Sequence, residues 1–215
     1  PRIHRDAGML SWNGPVALQV RTILDNAGVL LKTAGLSHDD VVSARVFLTD
    51  NTFFEAMNDE YGTYFRTSPP ARATAVTDLM GVDASVEVTL VATTGSRQVL
   101  GPALTPSLPL SSAVRAGDFV FLSGVLGNTD TNTNDAAAQT RETFERIRRT
   151  LDTVGLLFSH IVDNTIYLPD LRHQKKVDEI CHESFPADAP ARTSVGARLV
   201  IRAGLIEMMM TAVGR

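Results

Sequence analysis

The chain repeats itself at an offset of 120 residues, and this constrains its fold more than any other feature. The repeat is plainest in two short runs, PPAR at Pro69–Arg72 and APAR at Ala189–Arg192. The same offset carries Gln19 onto Gln139, Gly35-Leu36 onto Gly155-Leu156 and Val42 onto Val162. It also carries Leu48 onto Leu168, Asp50 onto Asp170, Phe65 onto Phe185 and Glu87 onto Glu207. No gap is needed between Gln19 and Glu87, so the 215 residues are a tandem duplication of one smaller unit.

Both copies predict the same elements. Leu24, Ala27, Leu31 and Ala34 recur at helical spacing, as do Phe144, Ile147, Leu151 and Val154, and Gly35 and Gly155 end the two helices. β-rich runs follow at 41–48 and 161–168. Asp50 and Asp170 are placed to cap a second helix ending near Phe65 and Phe185. Two strands close each unit, at 71–78 with 84–93 and at 191–199 with 203–213. The expected class is α+β, with each copy a mixed sheet carrying two helices on one face.

The second copy has an additional hairpin, 111–124, turning at Ala116-Gly117-Asp118. Shifted back by the repeat it falls before Pro1, so the first copy lacks it and residues 1–14 correspond to the loop that follows it. The Gly- and Pro-rich stretch from Ser96 to Pro109 has no counterpart and reads as a linker. The units are thus expected at 1–95 and 108–215, with 96–107 between them. A copy without its hairpin has a bare sheet edge, to be covered by a partner or by chain preceding Pro1.

Composition narrows the class. A hydrophobic content of 44% with a net charge of −4 excludes an intrinsically disordered chain. No apolar run is long enough for a membrane-spanning helix. The acidic balance, pI about 5.7, argues against a polyanion-binding protein. Cys181 is the single cysteine and cannot form an internal disulfide, and the polar N-terminus is unlike a secretory signal, so a cytoplasmic setting is expected. The five histidines, His4, His38, His160, His173 and His182, share no ligand spacing, so no metal is expected.

Four kinds of position are suited to chemistry. Arg72 and Arg192 each follow Pro-Ala at the start of a strand, and a guanidinium suits a planar carboxylate. Fifteen residues later, Glu87 and Glu207 lie in apolar strands, where a partly buried carboxylate holds a raised pKa and exchanges protons with water. A lone arginine or strand glutamate is ordinarily a solvated surface residue; repetition in register is what favours a functional pair. Ser123-Gly124 closes the hairpin strand, and a glycine there permits close approach to the backbone. Asn58, replaced by Asp178 in the second copy, lies on the second helix. Cys181 replaces Tyr61, so a nucleophile there has no support from the repeat; Met208 to Met210 read as core filler, and Pro1 is discounted as an amine base.

Taken together, these motifs resemble the Rid/YjgF family, best known for enamine and imine deamination. The resemblance rests on Ser123-Gly124-Val125, Gln19 and Gln139, Asn58-Asp59-Glu60-Tyr61, both Pro-Ala-Arg runs, and Val86-Glu87 with Ile206-Glu207. It implies two tandem chorismate-mutase-like domains and trimeric or double-ring homo-oligomers with sites between neighbouring domains. It also implies a small carboxylate substrate, with no cofactor, nucleic acid or membrane involved. By the same resemblance Arg72 or Arg192 anchors the carboxylate, and Glu87 or Glu207 is the acid/base that activates water. Ser123 and Gly124 line the pocket, with Asn58 nearby, and Ser194 lies two residues beyond Arg192. The chain departs from the family pattern at Leu110, Thr74, Ser194, Asp178 and Val125. A site using Arg72 and Glu87 would have to borrow Ser123-Gly124 from a neighbouring unit. The alternative to deamination is a non-catalytic metabolite-binding or regulatory protein, or a pathway-specific variant of the fold; RNA cleavage fits the acidic balance poorly.

Overall fold

The computed structural model describes residues 4–6, 9–11, 14–81, 83–103 and 108–214, with the backbone alone for 4–6, 9–11 and 102–103. Pro1 lies outside the described residues. Where the repeat suggested a loop, β1 (His4–Asp6) and β2 (Met9–Ser11) pair antiparallel. The first unit continues with α1 (Val16–Thr33), β3 (Val41–Leu48), α2 (Phe54–Tyr64), β4 (Ala71–Val76) and β5 (Val86–Ala92). Then come β6 (Arg97–Ala103), β7 (Ser111–Ala116), β8 (Phe119–Leu122) and β9 (Val125–Leu126). The second unit ends with α3 (Ala136–Thr153), β10 (Ile161–Leu168), α4 (Gln174–Ser184), β11 (Ala191–Gly196), β12 (Arg198–Leu199) and β13 (Glu207–Val213).

Local chemistry explains most boundaries. Gly35 and Gly155 stop α1 and α3 in the left-handed region, at φ 75° and 71°, where other residues are strained. Asp50 and Asp170 cap short 3-10 turns that lead into α2 and α4, not the α-helices themselves. In each, the side chain accepts a backbone N–H two residues on, from Thr52 and Arg172.

Two mixed sheets result. One has the order β12-β4-β3-β5; the other runs β11-β10-β13-β8-β7-β6, with β9 also on β13. Parallel pairs (β3 with β4, β10 with β11) sit beside antiparallel ones (β3 with β5, β10 with β13). Each unit has its own core, one around Val20, Leu24, Val46 and Met57, the other around Phe144, Ile147, Ile166 and Met208.

The units are welded, not strung. The stretch expected as a linker contains β6, antiparallel to β7, while 104–107 lie outside the described residues. Its glycine marks a bulge: Gly101, at φ 80°, sits where the register shifts between Leu100 and Ala103. Arg97 in β6 donates to Val41 O (2.8 Å) and Ser68 O (2.6 Å) of the first unit. Apolar contacts join Ala73 and Ala75 to Tyr167, Leu199 and Met209, and Val42 and Ala71 to Val114 and Ala116. Furthermore, β12 of the second copy pairs with Ala75 and Val76 of β4. Every residue of β4 is therefore buried, whereas every residue of its repeat equivalent, β11, is exposed.

Candidate active site

The seam between the units brings together Arg72, Asn58, Ser123, Gly124 and Glu207 across the copies. Arg72, at the start of β4, is 1% exposed. Its Nη2 donates to Asn58 Oδ1 on α2 at 2.6 Å, and its guanidinium lies 4.8 Å from the Tyr61 ring centre. Arg72 Nε and Nη1 are buried without a protein partner. Burial lowers the Arg72 pKa, while the charges of Tyr61 and Glu207 raise it.

The second unit clamps this strand. Arg72 N–H donates to Ser123 Oγ (2.8 Å), Ser123 Oγ donates to Ser111 O (2.5 Å), and Gly124 N–H donates to Arg72 O (3.0 Å). Ser123 thus acts through the backbone of Arg72. Gly124 serves a protein side chain: a β-carbon there would collide with Glu207 Oε1 and press on Ala73. The absent side chain is what lets the Glu207 carboxyl reach the seam.

Glu207 opens β13 at 3% exposure, and burial pushes its pKa up to about 8, with Arg72 and a hydrogen bond to the Thr74 backbone pulling the other way. Glu207 Oε2 and Thr74 Oγ1 are buried without a partner. Unmet donors on Arg72 and an unmet carboxyl oxygen on Glu207 leave the seam polar and unsatisfied, which ordinary interiors avoid. Among the described residues no group of three or more His, Cys, Asp or Glu side chains is arranged to hold a metal.

The pairing of Arg with Glu within one copy is corrected by the register. Arg72 lies beside Ala44 and Glu87 beside Phe47 on β3, three residues apart and hence on opposite faces of the sheet. The same holds for Arg192 beside Asn164 and Glu207 beside Tyr167 on β10. Arg72 is instead coupled to Glu207 of the other copy. Glu87 is exposed on the edge strand β5. Arg192 is held by Asp178 at 2.8 Å, and Ser194 is exposed on β11. Cys181 is buried, and burial pushes its thiol pKa up, away from a nucleophile's. Thr74 and Tyr61 join the seam although sequence reasoning gave them no role; Tyr61 had a signal, since it stands one helical turn after Asn58.

A family profile described as endoribonuclease L-PSP matches residues 3–94 and again 101–214. The 3-aminoacrylate deaminase RutC of Acinetobacter baylyi is 34% identical over 115 residues, spanning 52% of this chain and 89% of that protein. A RutC family protein of Sulfurisphaera tokodaii is 38% identical over 82 residues, 38% of this chain and 66% of that protein. The crystal structure of a YjgF/YER057c/UK114 family member from Mycobacterium tuberculosis superposes with a TM-score of 0.50 at 28% identity. It covers 55% of this chain and 99% of that one, as one unit of a pair would. With the profile matched twice along its length, the chain belongs to the endoribonuclease L-PSP (Rid/YjgF) family.

Proposed function

We propose that the chain is a cofactor-free deaminase of small imino or enamino acids, with its site at the seam between the two copies. The observation that carries this reading is the buried Arg72 with two unmet donors, in electrostatic contact with a Glu207 whose pKa is raised to about 8. The family's RutC relative, named a 3-aminoacrylate deaminase, supports the reaction class.

Arg72 Nε and Nη1 donate to the substrate carboxylate, and Asn58 and Tyr61 hold the guanidinium in place. Glu207, protonated near neutral pH, gives its proton to C3 of a 2-enamino acid, producing the electrophilic iminium. The resulting carboxylate takes a proton from the water that attacks C2. It then returns this proton to nitrogen as the C–N bond breaks. The hydroxyl proton released as the C=O bond forms restores the acid. One water is consumed, and a 2-oxo acid and ammonia leave, so no redox partner is needed.

The test is an assay that generates 2-aminoacrylate in the presence of the full chain and follows ammonia. Glu207→Gln and Arg72→Lys should each lose about 100-fold or more of kcat/KM, within the range assigned to acid–base groups. Glu87→Gln should retain wild-type turnover. No acceleration over spontaneous hydrolysis, or an E207Q variant as active as the wild type, overturns the reading.

A further inference from the structure

The second copy carries a cavity against its repeated arginine, and residue differences between the copies converge on it. A hollow of about 280 Å³ lies against Arg192, lined by Asn164, Cys181, His182, Phe185 and Pro190. In the first copy the position of Cys181 is held by Tyr61, whose ring packs under Arg72. The exchange of a ring for a thiol removes the group that would fill this space. The position of Ala44 becomes Asn164, which is wholly buried with Oδ1 unpartnered and with its side-chain N–H donating to Met208 Sδ at 4.0 Å. Burying an amide oxygen without a partner is costly unless something supplies a hydrogen. Gly62 becomes His182, adding a polar ring to the wall.

The fourth difference sets the charge. Arg72 is held by the neutral Asn58, whereas Arg192 is held by the carboxylate of Asp178. The first locus thus presents a net cation to a ligand, and the second presents a cation and an anion side by side. A ligand bearing only a carboxylate would be set beside the Asp178 charge. One bearing adjacent opposite charges would meet both. Asp178 Oδ1 receives both Gln174 Nε2 (2.7 Å) and Arg192 (2.8 Å), and among the described residues nothing bonds Oδ2.

We infer that the second copy holds a binding pocket for a small zwitterionic α-amino acid, separate from the Arg72–Glu207 seam. The carboxylate pairs with Arg192, the ammonium donates to Asp178 Oδ2 and Asn164 Oδ1, and the side chain occupies the hollow over Cys181, Phe185 and Pro190. The volume is below the roughly 300–1,000 Å³ of drug-sized pockets, which restricts the side chain to a small one. This inference does not rest on the deaminase reading, since neither Arg72 nor Glu207 takes part.

Calorimetry of the full chain with L-alanine and with propionate tests it. L-Alanine should bind the wild type at one equivalent per chain. Cys181→Tyr, which restores the ring of the first copy, should weaken it at least about tenfold, or about 1.4 kcal/mol. Asp178→Asn should weaken L-alanine similarly and add one equivalent of bound propionate, beyond whatever the seam binds in the wild type. Because Cys181 is the only cysteine, its alkylation in the unaltered protein gives a second readout: L-alanine should slow it and propionate should not. Absence of L-alanine binding, unchanged affinity in either variant, or alkylation indifferent to L-alanine overturns the inference. Loss of propionate binding at the seam would count against the deaminase reading alone.

Discussion

Glu207 is 3% exposed with Oε2 unmet, and a carboxyl so placed keeps its proton through neutral pH. If that proton starts the reaction, kcat/KM for an enamino acid should fall as pH rises through about 8, and a pH–rate profile checks this. The same shift has a stability consequence with a definite sign. The folded pKa is raised from 4.5 to about 8, so the folded chain binds more protons than the unfolded one between those values. The contribution is fully present below 4.5 and is lost as pH rises to about 8. Thermal melting across this window should show the wild type losing stability relative to Glu207→Gln, with a constant difference above it. A parallel pair of curves would remove Glu207 as the buried acid. Next to it, Gly124→Ala should displace the carboxyl and cost about 1–3 kcal/mol of stability, as overpacking does, along with most of the turnover. An alanine variant with full activity and unchanged Tm would show that Glu207 has room to spare.

At the scale of elements, helix and strand positions were legible because their signals are local. Apolar spacing in Leu24, Ala27 and Leu31, the end at Gly35, and the run 41–48 reappear as α1, its stop and β3. What stayed hidden is set by tertiary register. The odd spacing of Ala44 and Phe47 on β3 puts Arg72 and Glu87 on opposite faces, and only strand pairing reveals which residues oppose them. Repeating the motif in both copies made Arg72 with Glu87 and Arg192 with Glu207 the natural reading, although the fold sets Arg72 of one copy in electrostatic contact with Glu207 of the other. β6 was concealed by composition, since a glycine at a bulge and a glycine in a loop read alike. Its role can be tested through Arg97, whose two bonds to the first unit are worth about 2 kcal/mol or more as charge-assisted contacts. Arg97→Ala should lower Tm accordingly, and chemical denaturation should then show the seam opening before the cores. A variant as stable as wild type would mean that apolar contacts alone weld the units.

The whole molecule is asymmetric although its sequence is repeated. The edge of β4 is covered and that of β11 is bare, with Val195 39% exposed; β5 forms a second free edge in the first unit. Unpaired edges of this length invite pairing with another chain. Sedimentation velocity should therefore show concentration-dependent self-association, and a monomer throughout the micromolar range would mean that the bare edges are tolerated. The burial of β4 has one more consequence, for the order of events during synthesis. Strand 71–76 and its guanidinium are sealed by 111–124 and by 198–199, segments that leave the ribosome later. Until residue 199 emerges, the first unit holds an open β-edge and a half-housed cation. Its final packing is postponed to the completion of its twin, which exposes the nascent chain to mispairing in the interval.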